Sequence, residues 1–301
     1  MVILLTQLFC QLHYQYLKLT LYARLFQLGR NLQPSLHIDV NFSLISTTTI
    51  EILKRGQSDN PLWYDYCKGV ISASKAHEVK TKIKKIKKGL INSVNMFGLI
   101  QKVSGNQFTS PDIPALRYGR NMEPEAANKF LEIFRKTHKR VSMQECGIFL
   151  NRKIPYIGAS RDRIISCSCH ENACLEIKCP VSISHISPTD DTANLNYLVD
   201  SKLKISHQYY TQCQLQMGIT NTKLCYFFVY TAHGFLIDEI EFNAEFYKEL
   251  IEDCCLFMIN IIQKPFSNSV NRGFIVEELM GTTISTMIYT LSIFLSHLFT
   301  Y

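Results

Sequence analysis

Two segments, Gly158-Ala159-Ser160-Arg161-Asp162 and Leu175-Glu176-Ile177-Lys178-Cys179-Pro180, decide how this sequence is read. The second belongs to an apolar run, Ala173–Cys179, that is closed by a proline and reads as a β-strand. Side chains alternate across a strand, so Glu176 and Lys178 fall on one face, two residues apart. A lone Glu-x-Lys is commonly a surface ion pair. Here the pair sits in an apolar strand, and Asp162 lies on a preceding strand-like segment. Two acids and a lysine converging at a sheet edge can hold a divalent metal and a water. Carboxylates are hard oxygen ligands for Mg²⁺, which keeps several waters and also takes phosphate oxygens. Such a metal acidifies a water and offsets charge on a phosphorane-like transition state. A lysine beside it can orient or help deprotonate that water and stabilise the anion. Asp162, Glu176 and Lys178 are therefore the candidate catalytic core.

Outward from this core, the spacing predicts a helix over 73–88, with Val79, Ile83 and Ile86 on its apolar side. Its other side carries Lys75, Lys80, Lys82, Lys84, Lys85, Lys87 and Lys88, a solvated face or a phosphate-facing one. A polar loop leads to a second helix over 114–138, marked by Leu116, Ala126, Ala127, Phe130, Leu131 and Phe134. Strands are expected at 147–150, 156–158, 163–166 and 173–179. A helix over 203–219, strands at 224–230 and 235–242, and a helix over 244–262 complete the order. Helices interleaved with strands in this order give an α/β fold, a central mixed sheet flanked by helices.

A chain of 301 residues, 47% hydrophobic, can bury one substantial core, so one main domain is expected. It is placed at 61–265, opening near Trp63, after an apolar segment and a Gly/Asn/Ser/Thr/Pro-containing linker in 1–60, and before a tail over 266–301. Lys and Arg number 32 against 25 acids, and the net charge of +7 favours an anionic partner, nucleic acid or membrane surface. Eleven cysteines without a regular framework argue against a secreted disulfide scaffold and for reduced thiols inside a cell. Met1 through Phe26 lacks the charged start and small-residue cleavage site of a signal peptide. Residues 283–301 are apolar enough to suggest a membrane anchor, but their Ser, Thr and His content and lack of a flanking Lys/Arg cluster favour a packed terminal segment.

Four ordered blocks give the sequence a specific resemblance: Gly69-Val70-Ile71-Ser72-Ala73-Ser74; Tyr118-Gly119-Arg120-Asn121-Met122-Glu123-Pro124-Glu125-Ala126; the Asp162/Glu176/Lys178 core; and Tyr210-Thr211-Gln212-Cys213-Gln214-Leu215-Gln216-Met217. Together, over roughly residues 63–262, they resemble the YqaJ viral-recombinase family, relatives of phage lambda exonuclease within the PD-(D/E)XK nucleases. The resemblance implies a restriction-endonuclease-like fold and hydrolysis of DNA phosphodiesters, exonucleolytic on one strand of a linear duplex, in recombination or repair. It implies Mg²⁺ or Mn²⁺ held by Glu123, Asp162, Glu176 and the carbonyl of Ile177, with Lys178 catalytic and Gln212 positioning the reacting groups. Glu125 is then structural, and Ser74 and Lys68 contact DNA phosphate, although Ser74 could equally cap a helix. It further implies a ring-like homo-oligomer and a single-strand annealing protein as partner. Two departures stand out. The family has Ser-Pro-Asp-Gly where this chain has Ser160-Arg161-Asp162-Arg163, and an arginine about two residues before Gly69, where this chain has Cys67 and Lys68. Lys68 supplies the charge but not a bidentate grip.

Three other readings compete. Cys167, Cys169, His170, Cys174 and Cys179 suggest zinc, but Cys167-Ser168-Cys169 is too tight for a usual knuckle, and a turn with incidental thiols is preferred. A nuclease fold could persist as a catalytically impaired DNA-binding module derived from a viral or transposon nuclease. A nuclease-like passenger on a membrane anchor is the third reading.

Overall fold

The computed structural model describes residues 67–263 except 68, 92–95, 105–112, 152–153 and 155. The apolar segment and linker of 1–60, Trp63, Lys68 and the 266–301 tail, with its candidate anchor, lie outside the described residues. Contacts divide the chain after Cys255: one compact unit ends there and a second begins at Leu256. Among the described residues, no helix is long and apolar enough to cross a membrane.

Gly69, in the left-handed region at φ +73°, turns the chain into strand β1 (Ile71–Ser72), and helix α1 (Ala73–Lys87) follows directly. As the spacing predicts, Val79 and Ile83 are buried along α1, joined by Ala73 and Ala76. Helix α2 (Phe97–Ser104) occupies part of what reads as a polar loop in the sequence, with Leu99 and Val103 buried. Helix α3 (Pro114–Phe134) begins with proline at its first position, where the missing N–H costs nothing. It stops four residues short of the expected end, because backbone N–H groups of Thr137 and His138 both turn back onto the Phe134 carbonyl. His138 then stacks on the Phe134 ring at 3.7 Å between centroids.

Strands β2 (Ser142–Glu145), β3 (Ile148–Leu150), β4 (Ile157–Ser160), β5 (Arg163–Ser166) and β6 (Ala173–Lys178) come next. A small hairpin of β7 (Leu198–Val199) and β8 (Lys202–Leu203) takes up Leu203, so helix α4 (Gln208–Thr220) starts five residues later than expected. The His207 side chain accepts the Tyr209 N–H and caps α4, and Asn221 ends it in the left-handed conformation. Strands β9 (Leu224–Thr231) and β10 (Gly234–Glu241) and helix α5 (Ala244–Gln263) complete the described order.

The main sheet runs β10-β9-β6-β5-β2; β6 and β9 are parallel and the other pairs antiparallel, so the sheet is mixed. A smaller sheet, β1-β4-β3, pairs β1 with β4 in parallel. Alternation sorts the central strands onto two sides. Leu175, Ile177, Tyr226 and Phe228 pack with Ala127, Phe130 and Phe134 of α3, whereas Cys174, Cys225, Phe227 and Val229 pack with Cys213 and Met217 of α4. Burial on both faces is why β6 and β9 read as unbroken apolar runs. Phe130 is fully buried among Phe134, Tyr226 and Phe228, and a ring so placed contributes about 1.5–3 kcal/mol relative to exposure.

Candidate active site and metal centre

The α4-facing side of β6 carries Glu176 and Lys178 toward the C-terminal end of the strand. Glu176 is 1% exposed, so its charge must be met by protein groups. One carboxylate oxygen, Oε1, accepts from Gln212 Nε2 at 2.6 Å and from Lys178 Nζ; the other, Oε2, accepts from Gln216 Nε2 at 2.7 Å. Gln216 also donates to the Ser160 carbonyl at 2.8 Å, tying the end of β4 to the buried acid. The Lys178 ammonium lies 4.6 Å from the centre of the Tyr209 ring, a cation–π contact. Burial opposes the charge on Lys178, but Glu176 and Asp162 outweigh it and hold the lysine above its ordinary range. In this arrangement Lys178 is an ammonium, a donor and a positive charge.

Asp162 sits in the link between β4 and β5, and its Oδ2 accepts the Ile177 N–H at 2.7 Å. Its carboxyl is pushed well up, first by burial and then by the neighbouring charges of Glu176 and Glu123. Glu123 comes from α3, four residues before Ala127 and seven before Phe130, so the helix face that builds the core also points this acid at the sheet. Burial raises Glu123 as well, against the lowering effect of Arg163. Glu125, two residues on, accepts the Tyr230 hydroxyl at 2.7 Å.

The two arginines beside Asp162 diverge. Arg161 is buried on the α4 side, donating to Thr220 Oγ1 at 3.1 Å and Cys174 Sγ at 3.4 Å, with its guanidinium 4.7 Å from the Phe149 ring centre. Burial pushes the Cys174 thiol up, but the Cys225 hydrogen bond and the Arg161 charge outweigh it and bring it down to about 6. Arg163 faces α3 and donates to Glu123 Oε1 at 2.8 Å. Asp162 is thus pinned by side chains anchored on opposite sides of the sheet.

Ser74 is exposed in the first turn of α1; the cap position is Ser72, whose hydroxyl lies 3.0 Å from that of Ser74. A helix N-terminus with two hydroxyls is suited to an anionic oxygen. The lysines of α1 are not one open face. Lys87 pairs with Asp253, Lys80 lies over the Phe246 ring, and Lys75 is lowered by burial, whereas Lys84, Lys85 and Lys88 are exposed. The five zinc candidates do not converge: Cys174 packs on the α4 side of the sheet, while Cys167 and Cys179 pack on the α3 side. The ten described cysteines are unbridged.

Glu123, Asp162, Glu176 and the Ile177 carbonyl offer oxygen atoms only, the donor chemistry of a hard divalent cation. Burial first, and then the neighbouring acids, push Asp162 and Glu123 up, a penalty that a bound cation would relieve. Among the described residues, no three His, Cys, Asp or Glu side chains stand arranged to hold a metal, because Glu123 is drawn to Arg163 and Glu176 to its amide and ammonium donors. The donor set suits a hard divalent cation in chemistry, with Glu123 turned toward its arginine. Gln216 is the residue that sequence reasoning missed. Its signal was present, since it lies four residues after Gln212 and so on the same helix face.

Residues 62–223 match the YqaJ-like viral recombinase domain, and the chain belongs to that family. Among solved structures, LHK-Exo in complex with dAMP aligns over 67% of this chain and 92% of its own, at 22% identity and a TM-score of 0.50. The alkaline exonuclease LHK-Exo from Laribacter hongkongensis aligns in a second structure at 20% identity and a TM-score of 0.46, over 67% of this chain and 94% of its own. The KSHV SOX RNA complex aligns over 74% of this chain and 77% of its own, at 12% identity and a TM-score of 0.47. At 22% identity the likeness to LHK-Exo with dAMP is one of fold. A search of curated proteins finds no significant sequence match.

Proposed function

We propose that this chain is a metal-dependent deoxyribonuclease that hydrolyses phosphodiesters in linear duplex DNA, acting exonucleolytically in recombination or DNA processing. One observation carries the reading: Asp162, from the β4–β5 link, accepts the Ile177 N–H between Glu176 and Lys178 on β6, and the buried Glu176 is held by Lys178, Gln212 and Gln216. Membership of the YqaJ-like family and the fold shared with LHK-Exo support it.

Glu123, Asp162, Glu176 and the Ile177 carbonyl would hold Mg²⁺ or Mn²⁺. When bound, such a cation supplies Lewis acidity to a phosphate oxygen and lowers the pKa of a water. Glu176 is fixed before substrate arrives, since both of its oxygens already accept hydrogen bonds. Lys178, held as an ammonium, donates to the attacking water or to the phosphate oxygen that gains charge. Gln212 positions both by steering Glu176 Oε1. Ser74, at the start of α1, would meet DNA phosphate, with Lys84, Lys85 and Lys88 adding positive field. Lys68 is assigned the same role from the sequence. The nuclease domain is assigned to 61–265, acting in a reducing compartment as a ring-like homo-oligomer alongside a single-strand annealing partner.

The impaired DNA-binding module is favoured by one observation, the Arg163–Glu123 ion pair inside the candidate metal site. Incubating linear duplex DNA with the purified chain in Mg²⁺, and again in EDTA, separates the two. Progressive release of nucleotides in Mg²⁺ and none in EDTA supports the nuclease. DNA binding without release under either condition supports the module.

A further inference from the structure

Arg163 stands where an apolar side chain would be expected. It shares the α3-facing side of β5 with Ile165, a core residue, and its side chain is 9% exposed. A guanidinium in such a place must be paired to be tolerated. Nη1 donates to Glu123 Oε1 at 2.8 Å and to the Asp162 carbonyl at 2.7 Å, while Nη2 lies 3.2 Å from Oε1 of Glu145, the register partner of Arg163 on β2. The Glu145 carboxylate is mostly exposed and Glu123 is half-buried, so the less solvated partner is the acid assigned to the metal. Charge-assisted hydrogen bonds from a planar guanidinium are short and strong.

We propose that Arg163 is an internal counter-cation that competes with the divalent metal for Glu123 and so sets the metal requirement of this chain. The inference rests on the nuclease reading. Shared between the guanidinium on Oε1 and a divalent cation, the Glu123 carboxylate would give less of its charge to each, so metal entry weakens the Arg163–Glu123 pair. Glu145 supplies the alternative resting place: the guanidinium already touches it, and pivoting toward the β2 edge releases Glu123 without exposing an unpaired charge. Arg163 reaches Asp162 only through its backbone carbonyl, so the Asp162 carboxyl, whose Oδ2 accepts the Ile177 N–H, is not tied by the guanidinium.

The test is calorimetric titration of the full chain with MnCl₂ after EDTA treatment, without DNA, so that binding is read apart from turnover. R163Q is expected to bind Mn²⁺ about tenfold tighter than the wild type, the effect of removing roughly 1.4 kcal/mol of competition. R163K, which keeps the charge, should stay within about threefold of the wild type, and D162N should lose saturable binding. Wild-type-like or weaker binding by R163Q, with D162N still deficient, overturns the role of Arg163 and leaves the metal site standing. Absence of saturable Mn²⁺ binding in both the wild type and R163Q overturns the metal site itself and the inference with it. Should circular dichroism show R163Q unfolded, E145Q decides: without its alternative partner Arg163 should hold Glu123 more firmly, so Mn²⁺ binding weaker by about threefold or more supports the competition, and any smaller change overturns it.

Discussion

Gln216→Met tests how the buried acid is held. Gln216 is fully buried, and its amide spans Glu176 Oε2 at 2.7 Å and the Ser160 carbonyl at 2.8 Å. Methionine fills similar volume but donates nothing, so the variant leaves one carboxylate oxygen and one backbone carbonyl without this donor while avoiding a large cavity. An unsatisfied buried acceptor costs about 1–3 kcal/mol, and more when charged, so the expected loss is roughly 3 kcal/mol. Gln212→Met removes one bond to the same carboxylate, from a partly exposed side chain, and leaves Lys178 on that oxygen. Its expected cost is about 1 kcal/mol. Urea denaturation of the EDTA-treated chain, read by circular dichroism with slopes compared, measures both. Nuclease activity should fall in both variants, but stability mainly in Gln216→Met. Equal losses, or a Gln216→Met loss under about 0.5 kcal/mol, would refute the assignment of Gln216 as the main anchor of Glu176.

The acid cluster predicts a pH dependence with a definite sign. Asp162 is raised above its ordinary 3.8 by burial and then by Glu176 and Glu123, so its favourable contribution is complete below that value and is lost as pH rises through the folded-state pKa. Asp162→Asn should therefore melt higher than the wild type at pH 7 without metal, with the gap closing toward pH 4; a lower melting point at pH 7 would contradict this. Saturating Mn²⁺ should raise the melting point of the wild type and not of the variant. At Gly158, a Cβ would meet side-chain carbons of Val70 and Leu150 at 3.0 Å and the Phe149 carbonyl at 3.1 Å, so Gly158→Ala should cost about 1–3 kcal/mol in the same denaturation assay. An unchanged midpoint would show that β1 and β3 yield around β4 more readily than their packing implies.

The core strand was legible because Glu176 and Lys178 interrupt an apolar run at a spacing of two, and that period survives folding. Strand β5 and the start of α1 matched for similar reasons of pattern. Strand β2 escaped because Ser142–Glu145 is mostly exposed at the edge of the sheet and carries no apolar alternation. Helix α2 hid in a segment too short for periodicity to speak. The late start of α4 follows from Leu203, which looks helical in sequence but is used by a two-residue strand that only its partner Leu198 defines. Arg161 and Arg163 were the least legible. Whether an arginine beside an acid is solvated or buried depends on what the opposite layer offers, and Cys174 with Thr220 on one side and Glu123 on the other are distant in sequence.

Lys178, held as an ammonium beside Glu176, is proposed to serve the reaction rather than the grip on DNA. Single-turnover release of nucleotides from linear duplex DNA in Mg²⁺, with binding measured by fluorescence anisotropy on the same preparations, compares the wild type with Lys178→Ala. The variant should lose activity by about 10²-fold or more while its affinity for DNA changes little, as expected for a group that stabilises charge mainly in the transition state. Equal rates in the two proteins would contradict the account.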